Sequence, residues 1–245
     1  MNKLWVIARK DVVEAFRSRS IYVFIIIMAV LTFSYVSSYN AHVRTLTSQQ
    51  AINDFSQSFL SSLAYVLPMM YSIFVCSIFA NYSVVVDKAK RNIESLMAAP
   101  VSINQIWMGK SLAVMLPSIV VGIVIAILVY IFMNFAFIIP NTHVFIFPEP
   151  LAIVSALIIV PILVFAVVVV VIHVQLIISN PRIANFVFTG IFILLVFGTN
   201  ALGSLGVSIS FFPLVYLGVI AICGIIAYVL SRSLTKEKVL LSSKV

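Results

Sequence analysis

Few side chains in this 245-residue sequence are of a type that does chemistry, and their spacing excludes more than it permits. Gly109–Lys110–Ser111 reads like the end of a phosphate-binding loop, G-x-x-x-x-G-K-[ST], in which backbone amides and a lysine hold phosphate oxygens. The first glycine of that pattern would fall on position 104, which is Asn104. The surrounding residues open a long apolar stretch rather than a strand–loop–helix, so ATP is not expected to bind there. Nucleophilic or acid–base hydrolysis inside a membrane needs a nucleophile with its base, or paired acids. No G-x-S-x-G is present, and His173 is the only ionisable residue inside the apolar stretches. Gln175 follows it by two positions, about 200° round a helix, so the two do not line one face. Cys76 and Cys223 lie in apolar stretches and give no support for a disulfide. The expectation is a chain that is not an enzyme and binds no metal or cofactor of its own.

The elements that carry these residues follow from composition. Hydrophobic residues make up 63% of the chain and charged residues 9%, against about 25% charged in a soluble domain. The mean hydropathy is +1.20. Six stretches, 21–39, 59–84, 111–139, 151–179, 184–202 and 209–231, contain no Asp, Glu, Lys or Arg. A charge at the bilayer centre costs at least about 2.5–3.5 kcal/mol on insertion scales, which accounts for that exclusion. The stretches are too long and too little alternating for membrane strands, which need only about 9–11 residues. The expected fold is an all-α polytopic membrane protein with six transmembrane helices in one domain, 21–231. Pro68, Pro117 and Pro161 lie inside spans and are expected to kink them. Pro140, Pro148 and Pro150 make the connection between the third and fourth stretches a stiff turn. Thr199–Phe212 is either an external loop or a re-entrant pair of half-helices.

Sorting the charges by side gives the topology. Lys3, Arg9, Lys10, Arg17 and Arg19, then Lys88, Lys90, Arg91 and Lys110, then Arg182, and finally Arg232, Lys236, Lys238 and Lys244 all fall on one side. Arg44 alone falls on the other. Cytoplasmic loops carry the Lys/Arg excess, so both termini are expected in the cytoplasm of a plasma-membrane protein, with every charge outside the spans. The basic balance is topogenic and suits anionic headgroups; it does not suggest nucleic acid.

Two segments on that side carry more information than the spans. In the N-terminal residues 1–20, Leu4, Trp5, Ala8, Val12, Ala15 and Phe16 form one stripe of a helix. Lys3, Lys10, Glu14 and Arg17 lie opposite. A basic amphipathic helix with Trp at its apolar edge is expected to lie in the headgroup plane as an elbow before the first span. The connection 85–110 is the other. Residues 88–98 read as a short helix ended by Pro100, and Ser102–Ile103–Asn104–Gln105 has the form of a capping box that opens the next helix near Ile103. Ile93, Leu96, Met97, Ile106 and Trp107 are too apolar for an idle loop. They either dock in a groove of another protein or pack on the neighbouring helix ends.

The run Asp87–Lys110 resembles the signature of type-2 ABC exporter permeases. That pattern has an acidic and basic cluster, Gly-Thr-Leu-Glu, a leucine pair, Pro-Val-Ser and Ile-x-x-Gly-Lys. Asp87, Lys88 and Arg91 correspond to the charged lead, Ile93–Glu94 to Leu-Glu, and Leu96–Met97 to the leucine pair. Pro100–Val101–Ser102 match outright, and Ile106 with Gly109–Lys110 complete the run. Asn92 departs from the family's Thr. Ala8–Arg9–Lys10–Asp11 and Arg17–Ser18–Arg19 are similar to the family's elbow segment. The resemblance implies two permease subunits, identical or related, above two separate ATP-binding-cassette subunits that hold ATP and Mg. It makes the segment around Arg91–Ser102 a coupling helix. Arg91 and Glu94 would make polar contact with the ATPase or the elbow helix, and Ile93, Met97 and Val101 would form an apolar docking surface, with Pro100 and Ser102 part of the same partner-binding segment. Trp5, Lys10, Glu14, Phe16 and Arg17 would form the elbow.

The absence of acids and lysines from the spans argues against an ion-coupled carrier. It favours an amphipathic or hydrophobic cargo such as a lipid, drug or peptide. The rival reading is a membrane protein not coupled to ATP, such as an immunity or assembly factor or a secondary carrier.

Overall fold

The computed structural model describes residues 9, 10, 12–14, 17, 20–90, 92, 102–178, 190, 211–232 and 239. Among these residues every regular element is helical. Helix α1 is Ser20–Val43. Four further helices are long and apolar enough to cross a bilayer: α2 (Gln49–Val86), α3 (Ile103–Thr142), α4 (Pro150–Ile177) and α5 (Phe212–Ser231). The chain is therefore membrane-embedded. Its outward faces agree: Val120, Val124, Leu128 and Phe135 on α3 and Leu214, Ile222 and Ile225 on α5 are exposed, apolar surface that water would not tolerate at this extent.

These helices enclose the expected second and third spans, while α4 ends two residues short of the expected fourth (151–179) and α5 starts three residues into the expected sixth (209–231). The expected first span lies within α1. Of the fifth, 184–202, only residue 190 is described, and of Thr199–Phe212 only Phe211 and Phe212, at the start of α5. In the elbow segment residues 9, 10 and 12–14 are helical, Val12 packs on the core and Val13 faces outward.

Local sequence sets the helix starts. Ser48 caps α2, its side chain accepting from the Ala51 amide at 3.2 Å. At α3 the capping box forms as its sequence predicts. The Gln105 amide donates to Ser102 Oγ at 3.3 Å, and the Ser102 amide to Gln105 Oε1 at 3.2 Å. Pro150 opens α4, where a missing N–H costs nothing. Three wide turns with i→i+5 character, Asn81–Val86, Asn134–Ile138 and Ser155–Ile159, interrupt α2, α3 and α4. The third stands directly before Pro161, where a proline ring would otherwise press on the carbonyl of the preceding turn.

Helix α2 is central. Leu60, Tyr65, Met69, Tyr71 and Cys76 are buried along it; α1, α3 and α4 pack on it, and α5 packs chiefly on α4. In lipid there is no hydrophobic drive between helices, so close packing and hydrogen bonds must hold them. The hydroxyls of Tyr39 and Ser56 share a hydrogen bond of 2.9 Å, tying α1 to α2. The Tyr216 hydroxyl donates to the Tyr65 carbonyl at 3.1 Å, tying α5 to α2. Between α2 and α3 the device is close approach: a Cβ on Gly122 would lie 2.7 Å from the Ser72 amide nitrogen and 2.8 Å from its Cα. The turn 143–149 is pinned by Gln57, which donates to the Phe147 carbonyl at 3.1 Å, and by the Ile146 amide, which donates to Asn134 Oδ1 at 3.1 Å.

Substituting Gly122→Ala is expected to destabilise the protein by about 2–3 kcal/mol, because the obstructing atoms include backbone that cannot rotate away. Thermal unfolding in detergent checks it; an unchanged Tm would mean that α2 and α3 separate freely.

Candidate functional site

The chemistry-bearing residues of the Asp87–Lys110 run meet at one end of the bundle. Asp87 follows the wide turn of α2, and Lys110 lies two turns into α3. Their side chains are 1% and 0% exposed. Lys110 Nζ donates to Asp87 Oδ2 at 2.7 Å and also to the Ser83 carbonyl. Asn92 Nδ2 donates to Asp87 Oδ1 at 3.0 Å. Lys10 Nζ stands 3.6 Å from that same oxygen and 3.9 Å from Glu14 Oε1. One carboxylate thus joins the N-terminal helix, α2 and α3.

Its neighbour Lys88 reaches a fourth segment, donating to the Leu176 carbonyl at 3.0 Å and the Ile178 carbonyl at 2.9 Å. These are carbonyls at the C-terminal end of α4, where a cation also meets the negative end of the helix dipole.

The charge states follow from these surroundings. Burial by itself would raise the Asp87 pKa. The Lys110 ammonium, its hydrogen bond, the Asn92 amide and Lys10 outweigh it and hold the carboxyl below its usual range. Burial of Lys88 brings its pKa down to about 8.

Beside the cluster, Ile106 is buried in the core and Trp107 packs against His173, ring centroids 4.6 Å apart with the ring planes tilted by 48°. For these two residues, packing on neighbouring helix ends is the arrangement found. His173 is 1% exposed, with Nδ1 placed 2.7 Å from the Val169 carbonyl, which can only accept. Its Nε2 and Gln175 Oε1 are buried without a hydrogen-bond partner.

Of the residues singled out in the sequence, Lys10, Glu14 and Ser102 are placed here: the first two as an ion pair beside Asp87, the third as the cap of α3. Arg17 is exposed and continues the helical hydrogen bonding to Val13. Arg91, Ile93, Glu94, Met97, Pro100 and Val101 lie outside the described residues, as do Trp5 and Phe16. Asp87 and Lys110 stand outside the expected spans 59–84 and 111–139, yet both are buried in the protein. Each is neutralised by the other, and that pairing permits the burial. The signal was present as two charges of opposite sign at facing ends of consecutive apolar stretches, a position where an unpaired charge is costly. Among the described residues no group of His, Cys, Asp and Glu could hold a metal ion. Compared with known proteins, the chain matches no family model and no curated sequence.

Breaking the pair from one side leaves an unmatched buried charge. Asp87→Asn or Lys110→Met is expected to cost about 3–5 kcal/mol each, and the double variant markedly less than their sum. A double-mutant cycle of unfolding free energies checks this, and strict additivity would show the two groups to be independent.

The Lys88 site gives a pH signature. A lysine whose folded pKa is about 8, against 10.5 unfolded, binds fewer protons when folded between those values. Stability must therefore rise with pH across that interval. The Tm of the native chain is expected to gain on that of Lys88→Met from pH 8 to 10.5; parallel curves would contradict it.

Proposed function

We propose that this chain is the membrane-spanning permease subunit of an ABC transporter of the type-2 exporter class. In this reading it has six spans, with both termini on the cytoplasmic face of the plasma membrane. Two such subunits, identical or related, stand over two ATP-binding-cassette subunits that bind and hydrolyse ATP with Mg. The cargo is amphipathic or hydrophobic.

The observation that carries this reading is the meeting of Asp87, Lys110 and Lys10. The two ends of the signature-like run, 87 and 110, are clamped together in a buried ion pair, so the connection between them leaves α2 and enters α3 at one place. The N-terminal helix is held to the same carboxylate. A segment so anchored can receive a push from a soluble partner and pass it to two membrane helices at once, as rigid-body motion of packed elements. Ser102 supports the reading too, because its cap starts α3 at the end of the segment, leaving little slack. Arg91 and Glu94 supply polar contacts to the ATPase, and Ile93, Met97 and Val101 the apolar ones. Amphipathic cargo is supported by the described membrane-crossing helices, which bring no acidic or basic side chain into their middle reaches.

The test is co-purification with the ATP-binding-cassette subunit encoded alongside. Glu94→Ala and Met97→Ala are each expected to lower transport-stimulated ATPase activity about fivefold or more, the equivalent of roughly 1 kcal/mol at a docking contact. Intact assembly with unchanged activity in both variants would sink the coupling assignment.

A further inference from the structure

A cavity of about 190 Å³ lies between α2, α3 and α4, in the part of the bundle remote from the ion pair. Leu67 and Pro68 of α2, Ala126 and Ile127 of α3, and Ile153 and Leu157 of α4 form its walls. Small side chains at 126 and 156 line it, and the wide turn Ser155–Ile159 supplies Ala156 and Leu157 to the α4 wall.

Three observations define its occupant. The lining is hydrocarbon, and its one polar group, the Tyr130 hydroxyl, is already donated to the Ile146 carbonyl. Water needs two to four polar partners to stay in such a space, whereas an apolar cavity of ~150 Å³ stays dry and accepts a benzene-sized hydrocarbon. The mouth lies between α3 and α4, where Ile127 is 50% and Leu157 54% exposed on the outward, apolar surface. Finally, Ala126 lies about 24 Å along α3 from Lys110, within the ~30 Å of a bilayer's hydrocarbon core. The mouth therefore opens on the apolar outward surface of the bundle, with Pro148 of the turn before α4 also on the wall.

We propose that this pocket is a lateral binding site for an acyl chain of a bilayer lipid, which enters between α3 and α4 and lodges against Leu67 and Pro68. The site stands on the cavity alone and is independent of the permease reading; it requires no ATPase.

The wild-type chain, reconstituted in phosphatidylcholine nanodiscs with a fraction of the lipid bearing a diazirine on its acyl chain, is irradiated and the adducts mapped by peptide mass spectrometry. Labelling of Ala126, Ile127, Ile153 and Leu157 is expected to exceed that of Leu128, Phe132 and Phe135, equally outward on α3, by about fivefold, some 1 kcal/mol of preference. Ala126→Leu and Ala156→Leu, which fill the space, are expected to bring the pocket down to the level of the outer residues. Uniform labelling in the wild-type chain would mean annular lipid only and overturn the proposal. So would a pocket left blank amid labelled surroundings, or undiminished labelling in a filled variant of native Tm. Should both filled variants fail to fold, the wild-type map decides alone.

Discussion

A carboxylate and an ammonium taken out of water tolerate little besides each other, and Asp87 and Lys110 are in that position. Attraction between unit charges grows as the dielectric falls, and so does the penalty for leaving either one unmatched. Such a pair adds less to net stability than its contact distance suggests, because both ions have lost their hydration. Its effect is to restrict geometry. The facing ends of α2 and α3 must stay at hydrogen-bonding distance, and alternative registers of the two helices are penalised by a stranded charge.

Other elements depend on that restriction. Lys10 reaches the same carboxylate from the N-terminal segment, at a longer and half-exposed contact that is correspondingly weaker. Lys88 is directed by the same turn of helix onto the last carbonyls of α4. Trp107 is carried by the turn of α3 just before Lys110, and its tilted ring contact with His173 closes the remaining side against α4. A single short span of sequence, 83–110, thereby organises four segments without a soluble domain.

How much of this was legible in sequence depends on the range of the interaction. The Ser102–Gln105 box was readable because both hydrogen bonds span only three residues. The apolar stretches were readable because the bilayer excludes charge irrespective of tertiary structure. The ion pair was not, since 23 residues separate its partners and a charge beside a span reads equally well as topogenic. The wide turns are not legible in sequence, because they keep helical backbone angles and only the third, before Pro161, has a residue nearby that would mark it. Gly122 was indistinguishable from any glycine in a long helix until Ser72 was seen against it. Of the two arrangements open to Ile106 and Trp107, packing on the neighbouring helix ends is the one found, because α3 begins early enough to bring both onto the bundle.

The contact between Gly122 and Ser72 also makes a fulcrum. It is the place where α2 and α3 approach too closely for a side chain to intervene, so relative rotation of the two helices must pass through it. Taken as stiff rods, α3 extends about 18 Å from this point to Lys110 and about 30 Å to Thr142 on the far side. A displacement at the ion-paired end returns reversed and enlarged about 1.7-fold at the other, in the ratio of those two arms. A tilt of α3 about this contact therefore moves its far end more than its ion-paired end, with the wide turn Asn134–Ile138 lying in the longer arm.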